Sequence, residues 1–310
     1  MHIKVLGSAA GGGFPQWNCV CPNCRRFRIG VFKGRTRTQS QIAVSSTPSK
    51  WFFVNASPDL RQQLLADDEF APSGAPRGTP IAALILTSAD VDCVMGLLHL
   101  REFQPLHIYS TPSVQRILTE ENTLFRVLER SHPPVLWDDL PLDRPISIYQ
   151  HASLVPEATL SCRAVPLGGS FPDYVSDRLR RSLPAEEATI GLEFIQDGKR
   201  LFYAPSLPGR TANWRTHAAE SNLALLDGTF WTDGELVDLL GSGKTAREMG
   251  HQPLSGPDGL LEQLRDARNT RRVLIHLNNT NPALDEESQA NRTLRDAGWE
   301  IAYDGMELEL

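Results

Sequence analysis

Short apolar runs bounded by Gly, Pro, Ser or Asn recur along the first third of the chain and read as strands: Ile3 to Leu6, Gln41 to Ser45, Trp51 to Asn55 and Ala82 to Leu86. Helical periodicity follows at Asp59 to Leu65, Val94 to Phe103 and Ser113 to Glu129, with Pro112 where a helix start tolerates proline. The second half repeats the alternation. Gly191 to Ile195 and Arg200 to Tyr203 predict a hairpin over Gln196-Asp197-Gly198-Lys199. Strand-like Asn222 to Leu226, Arg272 to His276 and Trp299 to Tyr303 alternate with helical Gly259 to Arg268 and Glu286 to Ala297. Strands and then helices in each half predict an α/β chain built as a four-layer αββα sandwich, two sheets face to face with helices outside. Neither a tandem repeat nor a low-complexity linker interrupts it, so one domain over residues 1–310 is expected. The proline-rich, poorly periodic stretch from Pro133 to Pro156 is expected as an elaborated surface region.

Composition narrows the class. Hydrophobic residues make up 41% and charged residues 22% of the 310, ordinary proportions for a globular protein. A net charge of -6 makes nucleic acid a poor partner. No apolar run reaches the length that spans a bilayer, which argues against membrane insertion. Met1 to Leu6 meets glycines too soon for a signal-peptide core, so a cytoplasmic location is expected. Five cysteines are an odd count, and three of them fall between positions 19 and 24. In a reducing compartment that clustering points to metal rather than to disulfides.

Cys19-Val20-Cys21-Pro22-Asn23-Cys24 places three thiols on one tight turn. Zinc favours soft thiolates in a tetrahedral shell, and this knuckle supplies three corners; a chance cluster of buried thiols is the blander alternative. The fourth ligand must come from elsewhere, with His276 or Asn279 as candidates. A closed four-ligand shell would be structural rather than catalytic.

A second frame lies in Leu84-Ile85-Leu86-Thr87-Ser88-Ala89-Asp90-Val91-Asp92-Cys93-Val94-Met95-Gly96, where a strand-type run ends in a polar loop that opens a helical pattern. It resembles the His-x-His-x-Asp-His loop of the metallo-β-lactamase superfamily, but those places hold Ser88, Asp90, Asp92 and Cys93. Asp92 and Cys93 could offer one hard and one soft donor to a cation; equally, Asp90 or Asp92 could cap the helix and Cys93 could be a small buried filler. His276, ending an apolar strand before the turn-forming Leu277-Asn278-Asn279-Thr280-Asn281-Pro282, and His251, before a loop, are candidate ligands or general acid/base groups, or hydrogen-bonded core residues. Gly7-Ser8-Ala9-Ala10-Gly11-Gly12-Gly13 lacks the Lys-Ser/Thr ending of a phosphate loop and reads as a backbone that approaches the site closely. His99, His107, His132, His151 and His217 are expected at the surface or in packing, and Cys162 has no visible partner.

Nearly end to end, the chain resembles the PqqB family, metallo-β-lactamase-fold proteins of pyrroloquinoline quinone (PQQ) biosynthesis. The pieces that carry the resemblance are Gly7 to Cys19, Asn55-Ala56-Ser57-Pro58-Asp59-Leu60-Arg61, Leu226-Asp227-Gly228-Thr229-Phe230-Trp231, Gly243-Lys244-Thr245-Ala246 with Met249-Gly250-His251, His276 to Pro282, and Ala302-Tyr303-Asp304-Gly305-Met306. The resemblance implies the αββα fold, a structural zinc on Cys19, Cys21 and Cys24, and Fe(II) or another divalent metal at an active site. Asp90, Asp92 and His276 carry over as its ligands, and Cys93 stands where family members have His. Asp227, Arg61 and His251 carry over as supporting or substrate groups, with Ser88 and Asn279 lining the same region. The implied activity is hydroxylation of the tyrosine of a Glu-Tyr unit from a precursor peptide. Implied partners are that precursor or PQQ itself and other PQQ biosynthesis proteins, with a homodimer left open.

Two other functions compete with the hydroxylase: a carrier of the anionic quinone or its precursor towards the periplasm, and a metal-dependent hydrolase. The hydrolase needs a hydroxide bridging two metals, which Ser88 and Cys93 make hard to build.

Overall fold

The computed structural model describes residues 1–47, 50–72, 78–102, 106–130, 135–149, 160–208, 213–241 and 243–310. His132 and His151 lie outside them, as do parts of the proline-rich stretch.

Strands β1 (His2–Gly7), β2 (Gln41–Thr47), β3 (Lys50–Val54), β4 (Ile81–Ile85), β5 (His107–Ser110) and β6 (Leu136–Asp139) belong to one sheet. Strands β7 (Ile146–Ser147), β8 (Ser161–Pro166), β9 (Ile190–Gln196), β10 (Lys199–Ala204), β11 (Leu223–Asp227), β12 (Arg271–Ile275) and β13 (Trp299–Ile301) form the other. The last strand, β14 (Met306–Glu309), returns to pair antiparallel with β1, giving the orders β14-β1-β2-β3-β4-β5-β6 and β13-β12-β11-β10-β9-β8-β7. Each sheet has an antiparallel half and a parallel half, β3 to β6 and β10 to β13.

Alternation along the strands explains the layers. Ile42 and Val44 of β2, and Phe52 and Val54 of β3, face Leu192, Phe194, Tyr203, Leu225 and Ile275 in the seam between sheets. The intervening Ala43, Trp51 and Phe53 point outward to a second cluster with Leu60, Leu97 and Leu100. A third cluster joins Phe202, Leu226 and Leu274 to Trp214, Leu260 and Leu294. Three apolar layers separate four structural ones, the expected αββα sandwich, and buried strands with both faces covered read as continuous apolar runs.

The helices depart from the expected spans. Val94 to Phe103 is a short helix, Val91–Val94, followed by a tighter 3-10 segment, Met95–Leu100. The cause is a tertiary clasp: the Ala56 N–H bonds the Cys93 carbonyl at 2.7 Å and the Gly96 N–H bonds the Ala56 carbonyl at 2.8 Å. A side chain at Gly96 would meet the Ser57 carbonyl oxygen at 2.2 Å, so only glycine allows this approach. Ser113 to Glu129 likewise breaks into Pro112–Arg116, a π turn at Ile117–Glu121 and a 3-10 segment at Thr123–Arg130. Gly259 to Arg268 shrinks to Leu260–Gln263, and the helix expected from Glu286 starts at Gln289 behind the Ser288 cap. The proline-rich stretch supplies, in its described part, the edge strands β6 and β7 rather than surface elaboration alone. Among the described residues no helix is long and apolar enough to cross a membrane.

Phe194 is wholly buried in the seam. Phe194→Ala is expected to lower the unfolding free energy by about 3–5 kcal/mol in urea melts; a loss under about 1 kcal/mol would mean that the seam is not the main core.

Candidate metal centre

Parallel strands deliver their C-terminal ends to one rim of the sandwich. From the first sheet, β4 runs into Thr87 and Ser88. The Asn55 side-chain oxygen, on a residue at φ 65°, receives the Thr87 N–H at 2.9 Å and so shapes the turn. The Ile190 N–H donates to the Thr87 carbonyl at 3.0 Å, which ties this loop to the second sheet. Ser88 donates its hydroxyl to Asp90 Oδ2 at 2.8 Å. Asp90 stands at the N-cap position of Val91–Val94, but its carboxylate makes no capping bond; it is committed to Ser88 and to the cleft. Asp92, two residues on, places Oδ2 3.1 Å from His276 Nε2.

From the second sheet, β11 ends at Asp227 and β12 leads into His276, held in the left-handed region at φ 63°. Asp227 is fully buried, and donors surround both of its oxygens. The Thr229 N–H at 3.1 Å and hydroxyl at 2.6 Å reach Oδ1. The Leu207 N–H at 3.0 Å, the Gln252 N–H at 3.3 Å and His251 Nδ1 at 3.0 Å reach Oδ2. Thr229 has one hydroxyl proton and gives it to Asp227. At 2.8 Å, His276 Nδ1 must therefore be the donor to Thr229 Oγ1. The same logic makes His251 Nδ1 a donor to Asp227. Both imidazoles are thus oriented through Nδ1 with Nε2 left to act, in rings stacked 5.3 Å apart.

With these tautomers the residues fit a cation. His276 Nε2 and Asp92 Oδ2 are then two acceptors facing each other, so a proton or a cation must lie between them. Three carboxylates, Asp90, Asp92 and Asp227, converge here on two imidazoles, a set that a divalent ion would neutralise. Burial, then the Asp92 charge, pushes Asp90 above the usual carboxylate range. Burial would raise Asp92 as well, but the hydrogen bond and charge of His276 hold it below that range. Burial, then Asp92 and Asp90, drives the Cys93 thiol well up, so without a cation it is neutral; it packs at the edge of the outer apolar cluster, 3.9 Å from Thr87 Oγ1.

The cluster opens into a cleft of about 630 Å³. One wall carries Tyr174, whose hydroxyl donates to the Ala89 carbonyl and braces the Asp90 loop. The same cleft is lined by Lys244, exposed and without an ion-pair partner among the described residues, and by Arg247, paired with Asp233 at 3.3 Å.

Cys19, Cys21 and Cys24 bring their sulfurs within 4.8 Å of one another. The turn is more ordered than its spacing alone implied: Cys21 caps a helix, Pro22–Arg28, that carries Cys24 in its first turn. Of the two candidates for the fourth corner, Asn279 lies here. Its side-chain amide sits 3.1, 3.4 and 3.4 Å from the sulfurs of Cys19, Cys21 and Cys24, and an amide turned over would present oxygen. His276 is engaged in the other cluster.

Three expected roles change with placement. Asp227 is buried and orients both histidines, and its carboxylate stands with His251 and His276 within 4.8 Å, so it is a positioning group that could also share in holding an ion. Arg61 is exposed on the helix Leu60–Leu65 and does not line the cleft beside Asp90 and Asp92. Asn279 belongs with the cysteines and not with a substrate pocket. Thr229, Asn55 and Asn23 also shape the two clusters, and their sequence signals are slight: Asp-Gly-Thr after an apolar run, and polar residues at a strand end and inside the cysteine knuckle. His107 is buried, 2.9 Å from Asp138, a packing role as expected.

A family model described as a β-lactamase superfamily domain matches residues 50–277. The chain is 44% identical over 312 residues to coenzyme PQQ synthesis protein B of Azoarcus sp. (strain BH72) and 43% identical over 313 residues to that of Methylococcus capsulatus, each covering all of both chains. The crystal structure of Zn(2+)-bound PqqB from Methylobacterium extorquens superimposes with a TM-score of 0.89 at 37% identity, again over the whole of both chains.

Two outcomes follow for solution measurements. Asp227→Asn keeps the shape but turns an acceptor into a donor; divalent-metal affinity at the Asp92–His276 cluster should fall about 10–100-fold in competition titrations. Glu235, which accepts from the Trp231 N–H at 2.6 Å and from Thr280 on the His276 loop, is pushed up by burial from 4.5 to about 7. The folded state therefore holds this proton more tightly than the unfolded chain. Its contribution is fully present below pH 4.5 and is lost as pH rises through about 7. Urea melts should show wild-type stability falling between pH 5 and 8 more steeply than that of Glu235→Gln, which has no proton to exchange there.

Proposed function

The chain belongs to the coenzyme PQQ synthesis protein B family, and on that premise we propose that it is an iron-dependent hydroxylase acting on the tyrosine of a Glu-Tyr unit of the PQQ precursor. The observation that carries this reading is the donor set. Two imidazoles with tethered Nδ1 atoms and the Asp92 carboxylate supply the ligand types of a mononuclear iron site. Ser88 and the neutral Cys93 thiol occupy places where a second ion would need histidines, which weighs against bridged two-metal hydrolysis. In the same reading, zinc sits at the cysteine cluster with Asn279 and holds the N-terminal loop.

Bound Fe(II) would supply the activation of dioxygen. One oxygen atom enters the ring and the other leaves as water, with two electrons and two protons drawn from an external reductant. The chain's own residues bind and orient. Lys244 meets a substrate carboxylate at the mouth of the cleft, while Tyr174 and Phe171 give an aromatic wall for the ring. Asp90, whose carboxyl is pushed up by burial and by the Asp92 charge, lines the same cleft and would serve as a further ligand or a polar contact for the phenol. Other PQQ biosynthesis proteins would supply the precursor and take up the product.

The unpaired Lys244 also suits the anionic quinone, which favours carriage as the second reading. Oxygen uptake by anaerobically iron-loaded protein with a Glu-Tyr peptide separates the two. Uptake with hydroxylated product, abolished by Asp92→Ala, is expected. Tight PQQ binding that survives Asp92→Ala without any turnover would replace the hydroxylase by the carrier, and full turnover of iron-free, zinc-loaded protein would also overturn it. Lys244→Ala should raise KM for the peptide roughly tenfold with kcat little changed. Cys93→His should raise both bound iron and rate if the thiol is a weakened ligand.

A further inference from the structure

We propose that the cysteine cluster and the Asp92–His276 cluster are coupled through the loop 276–281, and that Asn23 is the positioning residue that joins them. The inference rests on the reading that Asp92 and His276 hold a cation, but not on the reaction proposed for it.

The loop starts at one cluster and reaches the other within three residues. His276 stands at φ 63°, which a residue with a side chain adopts only when its surroundings impose it. Those surroundings can be traced. The Leu277 N–H donates to the Ser8 carbonyl at 3.0 Å and its own carbonyl accepts the Ala10 N–H at 2.8 Å, so the glycine loop after β1 serves as a backing strip. The Asn278 N–H donates to the Thr229 carbonyl at 3.1 Å, beside the hydroxyl that orients His276. Asn281, wholly buried, donates its amide to the Gly228 carbonyl at 2.8 Å.

The far end of the loop is held by the cysteine helix. Asn23 lies between Cys21 and Cys24, is 7% exposed, and spends its side-chain amide on the Asn279 carbonyl at 3.1 Å and the Asn281 carbonyl at 2.9 Å. The Asn279 side chain lies against all three sulfurs. A cation that fixes the sulfurs therefore fixes Asn279 and Asn281, and through Gly228 and Thr229 the ring of His276. Coupling of this kind is reciprocal: an ion at either cluster tightens binding at the other by the same factor, typically about 5–150-fold.

The test uses the full-length protein with zinc at the cysteines and Co(II) titrated into the Asp92–His276 cluster. Asn23→Asp keeps the size and removes the donors; Asn23→Ala is the neutral alternative should a buried carboxylate prevent folding. With zinc still stoichiometric, either variant should weaken Co(II) binding about tenfold and alter its visible spectrum. A merely structural asparagine would lower Tm and leave both unchanged. In the wild type, which needs no variant to fold, zinc release to a chelator should be several-fold slower once Co(II) fills the second cluster. Co(II) affinity within twofold of wild type in the variants, or zinc release indifferent to Co(II), overturns the coupling. Wild-type protein that takes up no Co(II) at Asp92 and His276 overturns the cation site itself, and the coupling with it.

Discussion

The buried carboxylate of Asp227 is the constraint around which the site is organised. A charge without solvent is tolerable only when it is fully hydrogen-bonded, and this one collects donors from the loop after β10, from its own turn and from the segment that carries His251. Because it claims the single proton of Thr229, it decides which nitrogen of His276 donates. One buried anion thus sets two tautomers and the direction of two imidazoles. Burial alone would raise its own pKa, yet the histidine charges hold it below the usual carboxylate range.

The sheets place that anion opposite its complement. In each sheet the parallel half ends at the same rim, so β4 presents Asp90 and Asp92 while β11 and β12 present Asp227 and His276. Ligands gather where parallel strands end because the loops there converge and the strands behind them are rigid. The rim is stitched across the two sheets by the bond from Ile190 to Thr87, which keeps the two halves of the cluster in register. The cysteine helix adds a brace from the N-terminal side, reaching the loop after β12 through Asn23 and Asn279.

Departures from sequence expectation have local causes of one kind. The helix after Cys93 is cut short by bonds to Ala56 that no periodicity foretells. β6, β7 and β14 are too short to stand out from their flanks, and they become strands because each adds to a sheet edge. Thr229 passed unremarked because a threonine after Asp-Gly is common in turns; its importance is that of a hydroxyl placed between a carboxylate and two rings. Arg61, by contrast, looked chemical only by lying in a distinctive segment, and it faces solvent.

Alternation and apolar runs were enough to determine the αββα class, because burial on two faces leaves a pattern in the chain itself. Cysteine spacing determined that three thiols share a turn, since neighbours within six positions cannot separate far. Motif segments determined the family. Which histidine joins which cluster was decided only by the tertiary structure. His276 and Asn279 are three residues apart and chemically eligible for either site, and their assignment rests on partners remote in sequence: Asp92 and Thr229 for one, the cysteine sulfurs for the other. Contacts of that range arise from how two sheets close against each other, and no local pattern encodes them.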